Sequence, residues 1–136
     1  ALSVVFESGI QHFADRPEGF QNLPDAARTF LKEVPVVWDE TELLDGYPGK
    51  FTVLARNKGG NWYVGGINSA GRRERQQALD FSFLPKGQKF RLTLIADGEY
   101  DTVFSTQYLV VDNSSSINVK MLRRGGFAAV LKPIND

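Results

Sequence analysis

The sequence predicts a mainly β domain, an antiparallel eight-stranded β-sandwich, preceded by a short helical segment. Three observations carry that prediction. From residue 36 onward, stretches of β-branched and aromatic residues are separated by turn residues at intervals of about ten, the texture of a sandwich or barrel. Two stretches alternate cleanly, with Leu79, Phe81 and Phe83 opposing Asp80 and Ser82, and Phe90, Leu92 and Leu94 opposing Arg91 and Thr93. Before residue 35 the period changes: Leu23, Ala26, Ala27, Phe30, Leu31 and Val34 recur at the three-and-four spacing of one buried helical face.

Residues 1–6 form an apolar run too short for periodicity to separate a helix end from a buried strand. Ile10 to Ala14 alternates as a short strand would, and residues 15–19 combine Asp, Pro and Gly into a turn. The spacing then predicts a helix over 23–34. Asn22 can cap it, Pro24 suits its first turn, Asp25 suits the positive end of its dipole, and Pro35 turns Val34 out of the helical region. Strands are predicted at 36–44, 50–56, 62–69, 76–83, 89–96, 104–111, 117–122 and 127–132. Each intervening segment holds a Gly, Pro or Asn that a reversal requires. Connections this short imply antiparallel pairing, because a parallel crossover needs a dozen or more residues.

Composition narrows the function. The chain has 136 residues, 42% hydrophobic and 24% charged, enough for one domain with a core. Sixteen basic residues balance sixteen acidic ones, which argues against nucleic acid or an anionic membrane as partner. There is no cysteine, so a disulfide framework, a zinc ribbon and thiol catalysis are excluded. No apolar run approaches the roughly 20 residues of a membrane-spanning helix. The start at Ala1, without Met or a basic stretch, reads as an excised or trimmed segment rather than a signal peptide.

The residue types that carry chemistry are sparse. His12 is the single histidine and reads as structural. Asp39, Glu40, Glu42 and Asp45 cluster in sequence, but neighbours on a strand point to opposite faces, so a solvated strand is expected instead of a carboxylate pair. The segment around Asp97, Gly98, Glu99 and Asp101 has the composition of a calcium loop without its spacing, and reads as a turn. Gly59 with Gly60 and Gly125 with Gly126 lack the following Lys and helix of a phosphate loop, and read as hairpin turns. Arg72, Arg73 and Arg75, and Arg123 with Arg124, read as solvated hairpin ends. Trp38, Tyr47, Trp62 and Tyr63 are candidates for stacking on a sugar or, the commoner use of such aromatics, for packing. No cofactor or metal site is expected.

These residues also resemble a known family. VVFESGIQHFAD at 4–15, FLKEVPVVWDET at 30–41, LDGYPG at 44–49, VLAR at 53–56 and NWYVGGIN at 61–68 look like the end of glycoside hydrolase family 97. The resemblance implies a bacterial α-glucosidase or α-galactosidase parent with an N-terminal β-sandwich, a (β/α)8 barrel and a C-terminal β-sandwich. On that reading residues 1–34 are a remnant of the barrel: a helix end at 1–8, the eighth strand near 10–14 and the final helix at 23–34. Residues 35–136 are then the C-terminal domain. The parent's calcium site and catalytic carboxylates belong to regions whose motifs are missing here. Asp15, after the eighth strand, is expected at the rim of the parent's pocket. The expected partners are the parent's barrel and a second copy, with an α-glucan oligosaccharide as the alternative. A periplasmic or exported location is what the family suggests.

Overall fold

The computed structural model describes residues 1–13, 15–69, 73–99 and 103–135. Eight strands lie among them: β1 Glu40–Tyr47, β2 Phe51–Lys58, β3 Asn61–Asn68, β4 Arg75–Asp80, β5 Phe90–Asp97, β6 Phe104–Val111, β7 Ser116–Met121 and β8 Gly126–Pro133. They form a six-stranded sheet of order β1-β2-β3-β8-β5-β6 and a two-stranded sheet of β4 and β7. Every pairing is antiparallel, as the short connections imply. Sequential hairpins account for only part of the topology. The chain leaves the large sheet for β4, returns for β5 and β6, leaves again for β7, and inserts β8 between β3 and β5.

Period-two alternation explains the two faces of the large sheet. Val53, Ala55, Trp62, Val64, Phe90, Leu92, Leu94, Phe127, Ala129 and Leu131 turn inward and meet Leu79, Val119 and Met121 of the small sheet. The intervening residues Tyr63, Ile95, Ala128 and Val130 turn outward and meet Val4, Ala27 and Phe30 of the N-terminal segment. The result is three layers with helices on one side.

Those helices are α1 Leu2–Val5, α2 Pro17–Gln21 and α3 Asp25–Glu33. Val34 adopts extended backbone ahead of Pro35, which ends α3 as expected. Pro24, not Asn22, occupies the N-cap position, with no side-chain cap. Two expectations for this segment are corrected. Residues 15–19 are not only a turn: Pro17 starts α2, with Glu18 in its first turn. Residues 10–13 form no strand, and Ala14 lies outside the described residues. A barrel strand takes its hydrogen bonds from neighbours on either side; here the bonds are local, from Asp15 N–H to Phe13 O and from Gln11 Nε2 to Ser3 O.

Three strand limits differ by about three residues or more. Residues 36–39 precede β1 instead of opening it, because Trp38 turns outward onto Tyr63 and its bulk answers to packing, not to pairing. β1 runs on to Tyr47 through a bulge between Leu43 and Asp45, which turns Asp45 inward to accept a 2.9 Å bond from Gln77 Nε2. β4 stops at Asp80, whose carboxylate accepts the Ser82 N–H at 2.7 Å and closes a turn, although Phe81 beyond it stays fully buried.

Candidate interaction surfaces

The aromatic candidates do not converge. Trp62 is 4% exposed and packs edge-on against Phe83 in the inner core, with ring centroids 5.0 Å apart. Tyr63, its neighbour on β3, is equally buried on the opposite face. Consecutive strand residues cannot share a face, so these two cannot form one stacking platform. Burial also raises the Tyr63 phenol above its ordinary pKa. Trp38 is half-buried and edge-on to Tyr63, with ring centroids 5.3 Å apart and its Nε1 buried. Tyr47 alone among the four is exposed, at the end of β1, with Lys50 Nζ 4.3 Å from its ring centre. Sugar contact by Trp62 or Tyr63 is thus overturned by their burial. Asp15 is exposed, its carboxylate accepting the Arg16 N–H at 2.7 Å.

What joins the N-terminal segment to the sandwich is a residue the sequence did not single out. Arg56 on β2 is 4% exposed on the outer face of the sheet. Its guanidinium donates to Val5 O and to Thr41 Oγ1, each at 3.3 Å, and lies 5.7 Å from the Trp38 ring centre. A buried guanidinium needs such partners. Gly65 beside it admits α1: a Cβ there would stand 2.8 Å from Val4 Cβ.

The titratable clusters are occupied structurally. Asp39 accepts from Lys58 Nζ at 2.8 Å and the Gly59 N–H at 2.9 Å, bonds that hold its carboxyl below the usual range. Asp97 accepts the backbone N–H groups of Leu122 and Gly126 at 2.8 and 2.9 Å, tying down the turn before β8. Arg75 is not a solvated hairpin end: it lies 3.4 Å from the Phe51 ring centre and donates to Gln77 Oε1 at 2.9 Å. Arg73, Arg123 and Arg124 are exposed, and His12 likewise. Arg72, the rest of the 70–72 turn, and Asp101 with residues 100–102 lie outside the described residues. Among the described residues no three of His, Cys, Asp and Glu group in a way that could hold a metal ion. No helix there is long and apolar enough to cross a membrane.

Exposed apolar side chains concentrate in two places. One is the N-terminal segment, where Leu2, Phe6 and Ile10 are 61%, 61% and 70% exposed and Phe13 edges a groove shared with α3. The other is β6, where Phe104, Tyr108 and Val110 line the outer face of an edge strand. Neither was singled out from sequence. For β6 a signal existed: its eight residues, FSTQYLVV, carry no charge and end in four consecutive apolar positions instead of alternating.

The described residues thus form a helix-backed β-sandwich with apolar outer surfaces and without converging catalytic groups among them. A family model described as the C-terminal, oligomerisation region of glycosyl hydrolase 97 matches residues 37–132, and the chain belongs to that family. A probable retaining α-galactosidase of Streptomyces bingchenggensis is 36% identical over 129 residues, 95% of this chain and 19% of the relative. A retaining α-galactosidase of Bacteroides thetaiotaomicron is 36% identical over 137 residues, 97% of this chain and 20% of the relative. The chain therefore spans about a fifth of the curated relatives it matches. Among solved structures, a family 97 enzyme of Pseudoalteromonas sp. strain K8 in complex with panose aligns with a TM-score of 0.90 at 30% identity, over 98% of this chain and 22% of that one. A β-arabinopyranosidase aligns with a TM-score of 0.78 at 31% identity, over 94% and 20% of the two chains.

Proposed function

We propose that this chain is the non-catalytic C-terminal accessory domain of a retaining α-galactosidase, that it packs on the parent's catalytic barrel, and that it supports self-association. One observation carries the packing: Leu2, Phe6 and Ile10 are exposed on a segment whose Val4 and Val5 are buried in this domain. A segment held on one side and bare on the other needs cover, and a neighbouring barrel provides it. In this reading residues 1–34 belong to the end of the barrel and residues 35–136 are the accessory sandwich. The calcium that the family implies then belongs to the parent's other regions.

The choice of α-galactosides follows the two curated relatives, whose 36% identity exceeds the 30–31% shared with the solved enzymes. The parent enzyme should turn over an aryl α-galactoside faster than an aryl α-glucoside; the reverse order refutes that choice. The 136-residue chain should turn over neither. Packing is tested by calorimetry of the intact enzyme with Phe6→Asp and Ile10→Asp. The barrel's melting temperature should fall, and an unchanged barrel transition would refute the buttress. Titration of the chain with maltooligosaccharides to millimolar concentration should release no heat; saturable heat lost on Tyr47→Ala would restore the sugar-binding alternative.

A further inference from the structure

The two edges of the six-stranded sheet are built differently. β1 carries Glu40, Glu42 and Asp45 and is bent by a bulge, two devices that stop an edge from pairing. β6 has neither. Its eight residues are uncharged, its register with β5 is unbroken from Phe104 to Val111, and among the described residues β5 is its only partner. Its free side presents unpaired N–H and C=O groups beside exposed Phe104, Tyr108 and Val110.

Resting on the self-association proposed above, we infer that β6 is the seam of a symmetric dimer, pairing antiparallel with β6 of a second copy around a two-fold axis at Gln107. The two large sheets then continue as one. An antiparallel copy of the same strand is the partner that an uncharged edge accepts without like charges meeting. A two-fold axis normal to the sheet keeps outer faces on one side, so paired residues must share parity. Centring on Gln107 sets Phe104 opposite Val110 and Thr106 opposite Tyr108, each twice. Shifting the axis to Tyr108 sets Phe104 opposite Asp112 instead and loses an apolar pair. Tyr108 also lines a groove of about 300 Å3 beside α3, whose walls carry Asp25 and Glu33 on the helix and Arg91 and Lys132 on the sheet. Glu33 and Lys132 pair across that groove at 2.8 Å and Asp25 bonds Arg28, so its walls set no block of one charge against a second copy. The family's description as an oligomerisation region agrees with a copy of the same chain as the occupant.

Sedimentation velocity of the chain against concentration tests this. The unaltered chain should dimerise, and Tyr108→Lys with Val110→Lys should raise the dissociation constant tenfold or more, about the effect of Lys on a pairing edge. Leu43→Lys on β1 should leave it unchanged. Because the chain contains no cysteine, single substitutions report the seam even if the lysine variant fails to fold. Gln107→Cys should oxidise to a covalent dimer. Ser105→Cys should not, since its two copies would lie about 13 Å apart along the strands, beyond disulfide reach. A dimer that survives the lysine substitutions and gives no cross-link at Thr106, Gln107 or Tyr108 overturns the seam while leaving self-association intact. A chain that stays monomeric at about 100 μM overturns self-association itself and the seam with it.

Discussion

Gly65 and Gly66 stand side by side on β3 and look out on two different constructions. A Cβ on Gly66 would overlap the ring of Phe127, which is 1% exposed at the centre of the inner core. A Cβ on Gly65 would meet Val4 and the Ala1 carbonyl, at 2.8 and 3.0 Å, in a helix of four residues. The inner layer is closed by strands β4 and β7, which the chain reaches by leaving the large sheet and returning to it. The outer layer is a single N-terminal stretch laid over the same sheet and pinned by Arg56 and Phe30. The difference teaches that one sheet serves two units: an inner core whose loss unfolds everything, and an outer cover that can loosen by itself.

The inner core should show the largest effect. Phe81→Ala, at a side chain with no exposure, should cost about 4 kcal/mol in urea unfolding, with one transition for the whole domain. Phe30→Ala in the outer layer should cost about 3 kcal/mol, and hydrogen exchange should accelerate in α3 more than in β8. Equal acceleration in both would break the distinction between core and cover. The glycine pair sharpens it. Gly66→Ala should cost about 2 kcal/mol, because the Phe127 ring has no room to move, whereas Gly65→Ala should cost about 1 kcal/mol as α1 lifts. A reversed order would mean that α1 is the more rigid element.

The smallest effect is that of pH. Hydrogen bonds from Lys58 and the Gly59 N–H hold Asp39 below the usual carboxylate range, and Ser82 and Ser114 do the same for Asp80 and Asp112. A carboxyl with a lowered folded pKa gives stability that is full above its unfolded value, about 3.9, and is lost as pH falls through the lower folded value. These three carboxyls should therefore leave the melting temperature unchanged down to about pH 4 and lower it below that. Asp39→Asn should flatten part of that fall. These turns cap strands of the inner unit and of its hairpins, so the acid transition should be shared by the whole sandwich.

Much of this architecture was legible in residue order. Eight strands were predicted, and β5 and β6 fall within a residue of the expected limits. Errors arose where side-chain bulk imitated pairing. Trp38 suggested a strand it does not enter, and Phe81 and Phe83 continued an alternation beyond the Asp80 turn. The expected strand at 10–14 had apolar alternation, but among the described residues 10–13 pair with no strand. The candidate aromatics were read by type, and type cannot say that Trp62 and Tyr63 are buried on opposite faces. Arg56 was passed over because a single arginine in a strand reads as solvated until a helix is laid across it.

Residue order by itself determined the class of the fold, the helix-to-strand change near residue 35, and the scarcity of groups that cleave or bind metal. Those are local facts: period, turn chemistry and composition need no knowledge of distant partners. Tertiary structure alone decided the six-and-two division of strands, the insertion of β8 between β3 and β5, the laying of α3 on the outer face, and which edge stays open. Alternation makes a strand with a buried face, but which strand lies beside it is fixed by contacts across the whole chain.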